Sequence, residues 1–142
     1  MPGESVEKTV KTALEFIAEL APRTEAATVV TLSGELGAGK TTFVQGIGRA
    51  LGIEEAITSP TFVIEKIYSL EGQKWKRLIH IDAYRLADAR ELAALGWEEI
   101  VADPENLVCI EWPEHVAALI PADAARLHLD IEGERRIIRA DG

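Results

Sequence analysis

The segment Gly34-Glu-Leu-Gly-Ala-Gly-Lys40-Thr41 constrains this chain more than any other. It fits the pattern G-x-x-x-x-G-K-S/T without a gap. Such a loop folds around a phosphate so that successive backbone N–H groups point inward. Side chains at the tight points would block that approach, so Gly34 and Gly39 are required and Gly37 helps. The flanks agree. Thr28-Val-Val-Thr-Leu32 is β-branched and apolar, as a buried strand is. After Lys40, the spacing of Phe43, Val44, Ile47, Ala50 and Leu51 is helical, with Gly52 as its stop. A helix starting there aims unpaired N–H groups and a positive dipole end at the phosphates. Gly34, Leu36, Gly37, Ala38, Gly39, Lys40, Thr41 and Thr42 form the expected phosphate-binding set. Lys40 reaches the β- and γ-phosphates and Thr41 places its hydroxyl on magnesium. Thr42 reads equally as a helix-surface residue.

The remaining elements follow from periodicity. Residues 6–21 read as a helix ended by Pro22, and 61–68 as a strand. Glu71-Gly72 reads as a hairpin turn, and 75–81 as the returning strand. Asp88 to Leu95 is a short helix, with Asp88 as N-cap, Glu91 three residues on, and Gly96 as C-cap. Asn106 to Ile110 is a continuous apolar strand of the kind that helices cover on both faces. His115 to Ile120 reads as one or two helical turns, and 126–131 with 135–138 as a closing hairpin around Gly133. The order predicts an α/β fold: a P-loop NTPase-like three-layer sandwich with a mixed, mainly parallel central sheet. At 142 residues, the expectation is a single nucleotide-binding domain over 1–142.

Charge and composition narrow the setting. The formal net charge is −9, so no general pull on DNA or RNA is expected. The densest basic run, Lys74-Trp-Lys-Arg77, reads as the solvated start of a strand or as part of a contact surface. The single cysteine, Cys109, excludes an intramolecular disulfide, and it sits in an apolar strand where a buried, inert thiol is expected. No stretch approaches the roughly 20 apolar residues of a membrane span. The N-terminus lacks the basic-then-apolar order of a secretory signal. The cytoplasm is the expected location.

A phosphate loop alone does not hydrolyse anything. Transfer needs a carboxylate near magnesium or water, and two buried strands end on one: Leu78-Ile-His-Ile-Asp82 and Leu107-Val-Cys-Ile-Glu111. Ligands in open α/β sheets sit outside such strand ends. These residues alone leave open which acid holds magnesium and which orients water. Thr58-Ser-Pro-Thr61 follows the phosphate-loop helix and reads as a switch-like segment or a plain loop. Trp112 reads as core, lid or partner surface, and His80 as a hydrogen-bonded structural histidine. No His/Cys cluster has metal-ligand spacing, so the implied metal is Mg²⁺ held by oxygens. No N/T-K-x-D guanine loop occurs, and neither apolar strand that ends on an acid leads into a D-x-x-G, which favours ATP. A partner-controlled ATPase, a nucleotide-gated scaffold without essential hydrolysis, and a compact small-molecule kinase are the readings to separate.

In combination, Gly34-Glu-Leu-Gly-Ala-Gly-Lys-Thr-Thr-Phe43, Thr58-Ser-Pro-Thr-Phe62, His80-Ile-Asp-Ala-Tyr-Arg-Leu86, Leu95-Gly-Trp-Glu-Glu99 and Ile110-Glu-Trp-Pro113 resemble the TsaE (YjeE) family. The resemblance runs from about residue 5 to about 131. That family comprises bacterial P-loop ATPases required for making threonylcarbamoyladenosine in tRNA. The resemblance implies magnesium on Thr41 and Glu111, Asp82 as the acid needed for hydrolysis, and Ser59 to Thr61 as the switch-like loop, with Thr61 and Lys40 beside Asp82 in catalysis. It also implies Trp112 by the nucleotide, and Thr9 and Arg135 near the adenine. It implies TsaD and TsaB as protein partners, an ATPase weak alone and stimulated by them, and tRNA engaged only through that complex. Ala83, where many relatives carry a bulkier apolar residue, departs from the pattern in local packing only.

Overall fold

The structure, a computed structural model, describes residues 2–34, 40–53, 65–84, 86, 88–132 and 135–141; for 2–10, 131–132, 135–137 and 139–141 it describes the backbone alone. The elements run α1 (Pro2–Glu19), β1 (Thr28–Gly34), α2 (Lys40–Ala50), β2 (Glu65–Ser69), β3 (Arg77–Asp82), α3 (Ala89–Ala93), α4 (Trp97–Ala102), β4 (Asn106–Glu111), a 3₁₀ segment (Pro113–Leu119), β5 (Ala125–Glu132) and β6 (Arg135–Asp141). The strands form one six-stranded sheet in the order β2-β3-β4-β1-β5-β6. The inner four, β3, β4, β1 and β5, are mutually parallel, and β2 and β6 close the edges antiparallel. This is the mixed, mainly parallel sheet that the sequence predicts.

Alternation along the inner strands sorts their side chains into two cores. Val30, Leu32, Leu78, Leu107, Cys109, Leu127 and Leu129 pack with Ala13 and Ile17 of α1 and with Phe43, Val44 and Ile47 of α2. Val29, Ile79, Ile81, Val108 and Ile110 pack on the opposite face with Leu92, Trp97 and Val116, from α3, α4 and the 3₁₀ segment. Two helical layers therefore flank the sheet. The Phe16 and Phe43 rings, with centroids 5.9 Å apart, pin α1 to α2. Cys109 is fully buried, and burial pushes its thiol well above the usual range, so it is inert as expected.

Several local expectations change. The basic run is a staple. Lys74 Nζ donates to the carbonyls of Ile17, Ala18 and Leu20 at 3.3, 3.1 and 2.9 Å and so caps the C-terminus of α1. Trp75 is buried, with its indole N–H on Thr28 Oγ1 at 3.1 Å, so it precedes the strand instead of opening it. Arg77 starts β3 and pairs with Asp103 at 2.6 Å and Asn106 at 2.7 Å. Asp88 does cap α3, but its carboxylate takes the amide of Arg90 at 2.9 Å. Gly96 does not stop α3, whose C-cap is Ala94. At φ 88° it instead precedes a helix that the periodicity did not reveal, α4. Of the strand expected at 61–68, residues 65–69 form β2, and 61–64 lie outside the described residues. No helix among the described residues is long and apolar enough to cross a membrane.

Candidate active site

Strand register brings the candidate groups together. Leu32 of β1 pairs with Glu111 of β4, and Glu111 pairs with Asp82 of β3. The three strands are parallel, so their carboxyl ends lie along one edge of the sheet, and paired residues point to the same face. That face carries α2, whose first residues are Lys40 and Thr41. Both strand-end acids therefore face the helix that follows the glycine-rich segment.

Gly34 ends β1 with φ +133°, a backbone conformation that favours glycine. A Cβ there would stand 2.0 Å from the carbonyl oxygen of Leu129 in β5. The demand for glycine at this position thus comes from the neighbouring strand as well as from any phosphate. Leu36, Gly37, Ala38 and Gly39 lie outside the described residues, as does Thr61.

Lys40 is only 5% exposed. Its Nζ donates to Gly34 O at 2.7 Å and stands 4.2 Å from the centre of the Trp112 ring. Its chain thus folds back onto the end of β1. Burial pulls the Lys40 ammonium below its usual range, while the carboxylates of Glu111, Glu114 and Asp82 pull the other way. Trp112 is, among the described residues, the one non-glycine residue with positive φ, at φ 60° and ψ 53°. The strained turn swings its ring from the end of β4 over Lys40. Its amide continues the ladder, donating to Leu32 O at 3.2 Å. Tyr84 packs on Trp112 with ring centroids 5.0 Å apart, and His115, whose Nδ1–H donates to Ala83 O at 2.8 Å, borders both.

Thr41 Oγ1 donates to both carboxylate oxygens of Glu111, at 3.2 and 3.3 Å. A hydroxyl and a carboxylate held this close offer two hard oxygen ligands to a divalent cation. Among the described residues no group of three His, Cys, Asp or Glu is built to hold a metal alone. A cation on Thr41 and Glu111 would complete its shell with phosphate oxygens and water, as Mg²⁺ does in nucleotide sites. The donor set fits that ion. Glu111 is also met from β3: His80 Nε2 lies 2.5 Å from Glu111 Oε2, with both side chains buried. Asp82 is half-buried, and its Oδ1 accepts the amide of Tyr84 at 3.0 Å.

Lys40, Thr41, Asp82, Glu111 and Trp112 therefore meet at the carboxyl edge of the sheet. Thr42 is half-buried on the first turn of α2. Thr9 is placed in α1 and Arg135 at the start of β6, two elements in contact, with only their backbones described. The sequence reading foresaw a hydrogen bond for His80 but not its partner. The Tyr84 and His115 rings around Trp112 are further members of the site; the H-x-D-x-Y spacing signals Tyr84, and no local pattern signals His115. On the other face, Ser33 Oγ meets His128 Nδ1 at 2.8 Å and His128 Nε2 meets Asp130 Oδ1 at 2.9 Å, tying the end of β1 to β5.

Similarity to known proteins identifies the family. The family model described as "Threonylcarbamoyl adenosine biosynthesis protein TsaE" matches residues 5–138. The chain is similar to the tRNA threonylcarbamoyladenosine biosynthesis protein TsaE of Streptomyces coelicolor, 40% identical over 78% of this chain and 74% of that one. The protein of the same name from Treponema pallidum is 40% identical, covering 80% of this chain and 82% of that one. Among solved structures, YdiB of Bacillus subtilis superposes with a TM-score of 0.73 at 28% identity, covering 94% of this chain and 77% of that one. The chain belongs to the TsaE family of threonylcarbamoyl adenosine biosynthesis proteins.

Proposed function

We propose that this protein binds ATP with Mg²⁺ at the carboxyl edge of its sheet and hydrolyses it in support of threonylcarbamoyladenosine formation in tRNA. The observation that carries the reading is the Thr41–Glu111 contact, with Lys40 on one side and Asp82 in register on the other. Bound Mg²⁺ would neutralise charge on the β- and γ-phosphates. Thr41 and Glu111 would hold that ion. Lys40, released from Gly34 O, would turn its ammonium to the phosphate oxygens, where charge develops during transfer. Trp112 and Tyr84 would limit water access on that side. Asp82, beyond the cation ligands, would orient the attacking water and take up its proton.

The partners in this reading are TsaD and TsaB, in the cytoplasm, with tRNA engaged only through their complex. The net charge of −9 supports indirect engagement, because no basic surface field would draw a phosphate backbone. The test is phosphate release from ATP and Mg²⁺, with and without TsaB–TsaD. Weak release alone and a clear rise with the partners, needing no phosphate acceptor, is the expected result. No release under either condition would remove the hydrolytic reading and leave a nucleotide-gated scaffold. A requirement for an acceptor molecule would make the protein a kinase.

A further inference from the structure

We propose that His80 is a positioning residue that fixes the Glu111 carboxylate in the orientation needed to hold a divalent cation. The inference rests on the reading of Glu111 as a cation ligand and adds the residue that presets it.

His80 is fully buried in β3, on the face covered by α1 and α2. A carboxylate accepts hydrogen bonds, so at 2.5 Å the Nε2–H of His80 donates to Glu111 Oε2. The ring's other nitrogen, Nδ1, is buried with no hydrogen-bond partner among the described residues. A half-satisfied polar ring in a core costs stability, and an apolar side chain of similar size would fill the space without that cost. On that same face Leu78, two residues before it, and Cys109, paired with it in β4, are both buried and apolar. The fold therefore gains little from an imidazole at this position. What the imidazole supplies is the single bond to Glu111.

That bond has a geometric consequence. Glu111 is gripped from two elements: by His80 of β3 on Oε2, and by Thr41 of α2, which spans both oxygens. The terminal torsion of a glutamate is soft and needs such contacts to hold it. With Oε2 anchored, Oε1 is held beside the Thr41 hydroxyl, the arrangement a shared cation requires. Partners of this kind behind a ligand typically change metal affinity by about 10- to 100-fold when removed.

The test uses the full chain, Mn²⁺ as a paramagnetic probe, and ADP. His80→Asn keeps a polar side chain but is too short to reach Glu111, whereas the His80→Gln amide reaches the place of Nε2. Mn²⁺ affinity in the presence of ADP should fall about 10-fold or more in His80→Asn and stay within about threefold of the unchanged protein in His80→Gln. ADP affinity in chelator, without metal, should be the same in all. Glu111→Gln is the control that separates the two claims. If it binds Mn²⁺ as the unchanged protein does, the reading of Glu111 fails and this inference with it. If Glu111→Gln loses Mn²⁺ but His80→Asn does not, the inference alone fails. Equal losses in His80→Asn and His80→Gln would reduce His80 to a structural role and overturn it as well. A measurement free of variants is the Nε2–H proton resonance of His80. It should appear far downfield and persist when Mg²⁺ and ADP are added, and its loss on addition would show that His80 releases Glu111 and would overturn the proposal.

Discussion

Thr41 and Glu111 meet across the junction of helix α2 and strand β4, the hydroxyl 3.2 and 3.3 Å from the two carboxylate oxygens. The contact joins the residue that ends the phosphate-loop motif to an acid that lies 70 positions further on. It places the candidate cation site beside the end of β1, where Gly34 and Lys40 are already in contact.

Among the described residues, Lys40 is the cation buried at the candidate site. Lys40→Ala should weaken ATP binding about 100-fold, the loss of two charge-assisted contacts of about 1.5 kcal/mol each. Calorimetry checks this. Intact affinity would contradict the role given to Lys40.

Asp82 stands beside Glu111 in register but makes none of the contacts that hold Thr41. Asp82→Ala should leave ATP affinity within about twofold while abolishing turnover in the complex with TsaB–TsaD, a loss of about 100-fold or more. Unchanged phosphate release would remove Asp82 from the chemistry.

Gly34→Ala sets a Cβ against Leu129 O at 2.0 Å, on a backbone at φ +133°. It should destabilise the fold by about 3 kcal/mol before any question of phosphate binding arises. Denaturant unfolding measures this. A variant as stable as the unchanged protein, yet unable to bind ADP, would show that the β5 approach is not what limits this position.

Lys74→Ala removes the side chain that caps α1 through three carbonyls. The expected loss is about 0.5–1 kcal/mol in stability, with partner binding unchanged. Weakened binding to TsaB–TsaD at unchanged stability would return this run to the role of a contact surface.

The fold was legible where neighbouring residues fix the local structure. Strand β1 and helix α2, on either side of the glycine-rich segment, each follow from their own local pattern, and apolar strands such as 106–110 announce their own burial. The sheet order was not legible, because β4 lies between β3 and β1 for reasons of packing that no local pattern carries. Helix α4 was missed because Gly96, read as a stop, holds a left-handed turn from which a second helix starts. In the site, the two strand-end acids could be named from their positions after apolar runs. Their separate roles could not, since the bond from His80 to Glu111 spans 31 residues and exists only through the strand register. The reach of Leu129 toward Gly34 is hidden for the same reason.

In the proposed function, the Thr41–Glu111 pair holds the metal through which ATP is hydrolysed. The most direct measurement of that role is the Mg²⁺ dependence of phosphate release in the presence of TsaB–TsaD, compared between the unchanged protein and Glu111→Gln. Release should saturate with Mg²⁺ in the unchanged protein. In Glu111→Gln the Mg²⁺ requirement should rise about 10-fold or more, with a lower maximal rate. The same Mg²⁺ dependence and rate in both proteins would contradict that role.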